Sequence, residues 1–301
     1  MKRMVKNSAI LLFVLIMNSC NKQDSKALEK TEAIKLPSIS SYVTFEDYDV
    51  SFRDNKSLDG FRDFQSYKES FDTLIIDKTV YYIVEGDLLL DIDELTAQFE
   101  RKNKPDENGK LVGLLIDGDT LRIENPTNIR YSVIKATFTD KEYGEVLDYM
   151  NKAAASWRNV CNVNFVHISN LDSVLRATDN PDEVTFVVRK IGYTSDGLLA
   201  SAFFPYDPKS KRKILITPSF FTTSFRKPGI LTHEMGHILG FRHEHIRSGA
   251  PAECPRESTN STINYGNYDP QSVMHYFCGG AGSRDLNITK VDSIGASLIY
   301  K

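Results

Sequence analysis

The chain has 301 residues, 41% of them hydrophobic and 26% charged, a balance that supports a sizeable core and excludes a mostly disordered polypeptide. Its 37 basic and 40 acidic side chains give a formal charge of −3 and a pI near 6.1, which removes nucleic acid from the expected partners. The length suits one or two domains and leaves the oligomeric state unspecified.

The N-terminus reads MKRMVKNSAILLFVLIMNSC. Lys2, Arg3 and Lys6 lead into nine unbroken apolar residues, Ala9–Met17, too few to cross a bilayer, which takes about 20. This is the layout of an export signal over residues 1–19. Cys20, after Asn18 and Ser19, resembles the lipobox of bacterial lipoproteins, with Met17 and Asn18 standing where a leucine and a small residue are usual. The resemblance implies lipidation of Cys20, a polar tether over residues 20–37 and membrane attachment by that lipid alone. The product would sit on a bacterial outer membrane or cell surface; without the lipid it would be periplasmic or secreted. An exported chain can form disulfides. Of the remaining Cys161, Cys254 and Cys278, the last two flank one segment and are the preferred pair, while pairings with Cys161 stay open.

Residues 38–125 form an N-terminal region with few motifs. TVYYIVEGDLLL (Thr79 to Leu90) reads as strand, turn, strand, and DIDELTAQFERKNK as a short helix running into a basic loop. An Asn-Gly turn follows in Glu107 to Lys110, then an Asp-Gly hairpin signal in LLIDGDTLRIE. From Pro126 the texture changes. NIRYSVI alternates as a strand, and a helix follows with Val146, Tyr149, Met150, Ala153 and Trp157 at helical spacing and Asp140 as its N-cap. NVNFVHI, EVTFVVRKI, LLASAFFP and KILITPSFF read as four further strands, after which Pro228 opens a second helix at its first turn. Strand, helix, strands, helix predicts an α/β (α+β) fold with a mixed, twisted sheet over residues 126–301.

The second helix carries THEMGHILGFRHEH (Thr232 to His245). His233 and His237, four apart, project from one helix face and can bind one zinc ion at about 2.0–2.1 Å. Gly240 ends the helix cheaply in a left-handed turn, and the returning chain offers His243 as a third ligand. Three histidines leave a coordination position open, the arrangement of a catalytic rather than a structural zinc. Glu234, one residue from the first ligand, is placed to serve as a general base toward water at that position.

Downstream, NYDPQSVMHYF (Asn267 to Phe277) places Met274 after a turn, with Tyr276 two residues on. With HExxHxxGxxH, this resembles the metzincin metallopeptidases, and within them most closely the astacins. The resemblance covers roughly residues 126–301. It implies a small C-terminal lobe below a zinc cleft and a methionine floor at Met274. It implies Tyr276 as a hinged zinc ligand that later donates to the oxyanion, and one catalytic zinc acting on an extended polypeptide substrate. LASAFFP would be the edge strand that pairs with that substrate; Ser201, where related enzymes carry histidine, implies that no second zinc binds there. VEGD (Val84 to Asp87) resembles the propeptide element whose aspartate blocks the metal, which makes residues 38–125 a candidate propeptide and Asp87 its latch. Gly86-Asp87 reads equally as an ordinary turn. If the latch operates, a cut between the Arg101–Lys110 loop and Pro126 would activate the chain, and Glu244 would pair with the new amine. PKSKRK (Pro208 to Lys213) reads as a solvated loop, or as a preference for acidic substrates. The rival functions are a peptide-binding or adhesion lipoprotein that retains a zinc site, and a zinc hydrolase of non-peptide amides.

Overall fold

The computed structural model describes residue 61 and residues 63–101, 113–116, 119–193, 197–255 and 262–301. The export signal, Cys20, the tether and the Glu107–Lys110 turn lie outside these residues, as does nearly all of the basic loop. The described residues belong to one compact unit.

The N-terminal region begins with α1 (Phe64–Lys68), capped by the Asp63 carboxylate on the Ser66 amide. A meander of β1 (Thr73–Ile76), β2 (Thr79–Val84) and β3 (Leu88–Leu90) follows, antiparallel throughout, and then α2 (Ile92–Arg101). The strand, turn and strand predicted over Thr79 to Leu90 are β2 and β3. Val84 and Leu88 bury with Tyr67 and Leu95, and Phe204 from far along the chain closes that cluster.

β4 (Gly113–Ile116) and β5 (Asp119–Thr120) pair as the predicted hairpin, with Ile116 opposite Asp119. β6 (Ile129–Val133) then enters the main sheet, and α3 (Asp140–Arg158) crosses over it. Asp140 is not the N-cap of α3. Thr139 is, because its hydroxyl reaches the Glu142 amide while the Glu142 carboxylate returns to the Thr139 amide, a reciprocal box that Asp140 cannot make.

β7 (Phe165–His167), β8 (Phe186–Lys190), β9 (Ala200–Ser201) and β10 (Lys213–Ile216) complete a five-stranded sheet of order β7-β6-β8-β10-β9. The first four strands are parallel, and β9 joins β10 antiparallel at the edge with Leu215 opposite Ser201, so the sheet is mixed as expected. A short α4 (Ser219–Thr222) precedes α5 (Lys227–Ile238), which has Pro228 in its first turn. β11 (Thr262–Ile263) pairs with β4, and α6 (Lys290–Ile299) closes the chain. The main core lies between the sheet and the helix pair α3 and α5, with Trp157, Phe186, Leu231 and Met274 at its centre.

Residues 113–116 and 119–125 reach elements of the later region. Ile123 is in the main core with its amide on the Tyr300 hydroxyl, and β4 binds β11, so this stretch belongs with the later elements. In the PKSKRK stretch Pro208 and Ser210 are exposed, as a solvated loop requires, while its basic side chains are half-buried and engaged within the chain. Lys211 pairs with Asp91 and Glu94 (2.7 Å to the latter), and Lys213 lies 3.6 Å from Asp77. Cys254 and Cys278 are disulfide-bonded and Cys161 is free, which settles the open pairing.

Candidate metal centre

α5 is buried from Pro228 to Ile238, so the polar side chains there must be satisfied internally. It ends at Gly240, whose φ of +89° suits glycine. There the Gly240 amide donates to His237 O and the Phe241 amide to Gly236 O, a Schellman ending that turns the chain back. That return positions two ligands at once. The Phe241 carbonyl accepts from His237 Nδ1 at 2.8 Å, and His243 follows two residues later. His233 Nδ1 bonds Val273 O at 2.7 Å, immediately before Met274. With each Nδ1–H committed to a carbonyl, His233 and His237 direct their Nε2 atoms inward.

Met274 lies beneath the centre, where a Cβ on Gly236 would meet its sulfur at 2.4 Å. The segment is fixed from below by Asp292 of α6, whose carboxylate accepts from Ser272 Oγ at 2.5 Å and the Val273 amide at 2.9 Å. Sequence reading missed Asp292, although Thr289-Lys-Val-Asp292 is a capping-box pattern.

The three histidines converge with Asp87 into one buried group whose ligand atoms all lie within 4.8 Å of one another, a group that could hold a metal ion. Asp87 Oδ2 is 3.2 Å from the Nε2 atoms of His233 and His243 and 3.7 Å from that of His237. Burial would raise the Asp87 carboxyl, but the His243 charge, then the contacts with His233 and His243, hold it well below the usual carboxylate range. Burial pushes His237 down to about 4, so the ring is neutral and its Nε2 carries a lone pair. That atom is buried with no hydrogen-bond partner and faces a carboxylate oxygen. Electron pairs facing one another in a closed space are what a cation relieves, and three imidazoles with one carboxylate suit zinc.

Glu234 lies beside this group, 2% exposed, with one carboxylate oxygen unpartnered and a bond from the Ala202 amide just beyond β9. Burial first, and then the Asp87 charge, raise it well above the usual range. Tyr276 stacks near His233 and His243, with ring centroids 5.9 and 4.4 Å away, and its hydroxyl donates to the Glu85 carbonyl. The loop that carries Asp87 therefore also holds Tyr276. Glu244 is fully buried, takes Arg247 Nη1 at 2.7 Å and the Asp269 amide at 2.9 Å, and is pushed by burial up to about 7. Arg242, on which the sequence was silent, pairs with Glu85 at 2.6 Å.

No protein-family model and no curated protein matches the sequence. Among solved structures the chain is similar to myroilysin, at 17% identity and a TM-score of 0.41 over 60% of this chain and 95% of that one. It is also similar to high choriolytic enzyme 1, a hatching enzyme zinc-protease from the medaka fish Oryzias latipes, at 16% identity and a TM-score of 0.36 over 58% and 90% of the two chains. A likeness this remote carries no argument of its own, and the function has to be read from the side chains.

Proposed function

We propose that this chain is a zinc-dependent endopeptidase of the metzincin type, closest in its motifs to the astacins, made as a zymogen. The observation that carries the proposal is the convergence of His233, His237 and His243 beside a buried Glu234, at the edge strand β9. The three histidines would hold zinc. Bound there, zinc supplies Lewis acidity toward a carbonyl oxygen and toward water.

The remaining work falls to this chain's own side chains. The outer edge of β9 accepts an extended polypeptide main chain to main chain. Glu234, aimed by the Ala202 amide, takes a proton from water and returns it to the leaving amine. Tyr276, released from the Glu85 carbonyl, turns its hydroxyl to the oxyanion. Until then Asp87 fills the space between the imidazoles and acts as the latch. A cut before Gly113 frees the region that carries it while leaving residues 113–125 in the core, and Glu244 then has a buried oxygen for the new amine. Residues 1–19 export the chain and Cys20 anchors it to a bacterial membrane by lipid.

The test is digestion of denatured casein by full-length protein, before and after limited trypsin treatment, with and without a chelator. Trypsin-treated wild type cleaves and the chelator stops it. Glu234→Gln keeps its zinc and loses about 10²–10⁴-fold in rate. Full activity in that variant, or wild-type protein that takes up no metal, ends the proposal.

A further inference from the structure

Tyr276 is the side chain of the centre that has to move, from the Glu85 carbonyl to the oxyanion, so its main chain has to stay in place. On the N-terminal side the chain is anchored. Met274 O accepts from the Glu244 amide at 2.8 Å, and Ser272 and Val273 are held by Asp292. On the C-terminal side Cys278 is disulfide-bonded to Cys254, and its amide donates to Ala281 O at 3.0 Å. Between these anchors the Tyr276 carbonyl accepts from Nδ1 of the preceding residue, His275, at 2.5 Å. The His275 ring is fully buried, and with its Nδ1–H given to that carbonyl, Nε2 keeps a lone pair to satisfy. The Tyr268 hydroxyl lies 2.7 Å from Nε2 and donates to it.

Tyr268 is itself tied down on both sides. Gly266 O accepts from Arg247 Nη2 at 2.8 Å, and the Asp269 amide donates to Glu244 Oε1 at 2.9 Å. Arg247 and Glu244 belong to the short stretch that begins at the third histidine, His243. Two hydrogen bonds in series, Tyr268 to His275 and His275 to the Tyr276 carbonyl, therefore set the main chain of the tyrosine against the segment that carries a metal ligand. The tyrosine ring is steered as well. His245 stacks on it with 4.5 Å between centroids and 24° between planes.

Resting on the peptidase reading, we propose that Tyr268 and His275 are positioning residues for Tyr276. Tyr268 fixes the His275 ring, the ring fixes the Tyr276 carbonyl, and the tyrosine hydroxyl then travels by side-chain rotation alone about a stationary Cα. Their effect reaches the substrate only through that hydroxyl. Without the brace Tyr276 still turns, but its hydroxyl meets the oxyanion over a spread of geometries, and a hydrogen bond weakens steeply away from its best angle. The loss falls on the transition state and not on substrate binding, because the negative charge that the hydroxyl steadies develops only there.

The preparation that cleaves casein in a chelator-sensitive way is given a quenched peptide built on one mapped casein cut, and kcat and KM are measured separately. Tyr276→Phe loses about 10²–10³-fold in kcat, as removal of an oxyanion donor does. Tyr268→Phe, which deletes one hydrogen bond of about 1 kcal/mol, loses roughly five-fold in kcat with KM and zinc content unchanged. His275→Ala loses more, and His275→Asn, whose side-chain amide stands in for Nδ1–H, recovers part of that loss. In the Tyr276→Phe background, Tyr268→Phe changes kcat by less than about two-fold, since no hydroxyl is left to place. A merely structural Tyr268 would show its full loss there too. The Tyr268 cycle decides the matter if the His275 variants fold poorly. A Tyr268→Phe loss carried by KM, an equal loss in both backgrounds, or no loss in either overturns the assignment while leaving the peptidase standing. Wild type that cleaves neither peptide nor casein removes both.

Discussion

Asp87 reaches the three imidazoles because Glu85 and Gly86 both adopt left-handed backbone, with φ of 57° and 87°, and so turn the chain sharply between β2 and β3. A non-glycine residue in that region carries strain that its surroundings must offset; here Arg242 on the Glu85 carboxylate and Tyr276 on its carbonyl do so. Losing the Asp87 carboxylate removes its charge-assisted bonds to the rings, worth about 1.5–3 kcal/mol each. Asp87→Ala in the full-length chain should therefore raise chelator-sensitive casein cleavage before any trypsin treatment, on the order of 10- to 100-fold. Zinc should also leave that variant faster in a competing chelator, since one donor is gone. No gain in activity together with unchanged zinc retention would return Gly86-Asp87 to an ordinary turn. The contrast with the histidines explains what was legible. HExxHxxGxxH is written within eleven residues of one helix and its ending, whereas Asp87 meets His233 across 146 residues, a meeting that spacing does not report and that only the resemblance of VEGD to a propeptide element suggested.

Among the elements, α5 and the Met274 segment are the pair on which the centre is built. Trp157 of α3 holds α5 from behind, its Nε1 on Thr232 O at 2.8 Å, and Met274 touches α5 from below at Gly236. A methyl group there would come within 3.1 Å of Met274 Cε and 3.2 Å of Trp157 as well as striking the sulfur, and both partners are buried. Gly236→Ala gains about 1 kcal/mol of helix propensity but overpacks a closed site at a cost of about 1–3 kcal/mol. The expected net effect is a small fall in melting temperature with a larger fall in zinc retention, because the displaced methionine moves the Val273 carbonyl that orients His233. A variant with raised stability and full zinc affinity would show that Met274 yields freely. Periodicity predicted α5, Pro228 and Gly240 correctly because each rests on local backbone chemistry. It gave LLASAFFP too long a strand. β9 stops at Ser201, and the Asp207 carboxylate on the Phe204 amide, with Asp207 N on Phe204 O, bends the following residues into a turn.

Over the whole molecule, the N-terminal region is held to the main sheet by a seam in which its carboxylates face the sheet's cations. Lys211 meets Asp91 and Glu94, Arg242 meets Glu85, and Arg189 grips Asp77 at 2.7 and 3.3 Å with Lys213 close by. Composition could not reveal this, because PKSKRK reads as surface charge until its partners, 120 residues earlier for Asp91, are in place. The Arg189 contact is the sharpest to test. Arg189 is 4% exposed, and burial, then the Arg189 charge, lower Lys213, so Asp77 is what makes two neighbouring cations tolerable. Removing one member of a buried pair costs about 3–5 kcal/mol. With the Asp77 side chain 34% exposed, Asp77→Ala should cost less, roughly 2–4 kcal/mol. If the region is detachable, that cost falls on its docking alone. Limited proteolysis of Asp77→Ala should then cut within residues 61–101 at least about 30-fold faster, in the regime where cutting follows the population of the open form. A fragment beginning near Gly113 should persist, retaining zinc and the main thermal transition. Parallel digestion of both parts, or a main transition lowered as far as the docking, would mean that the meander is an integral layer of the fold and that its removal cannot be the route to an active enzyme.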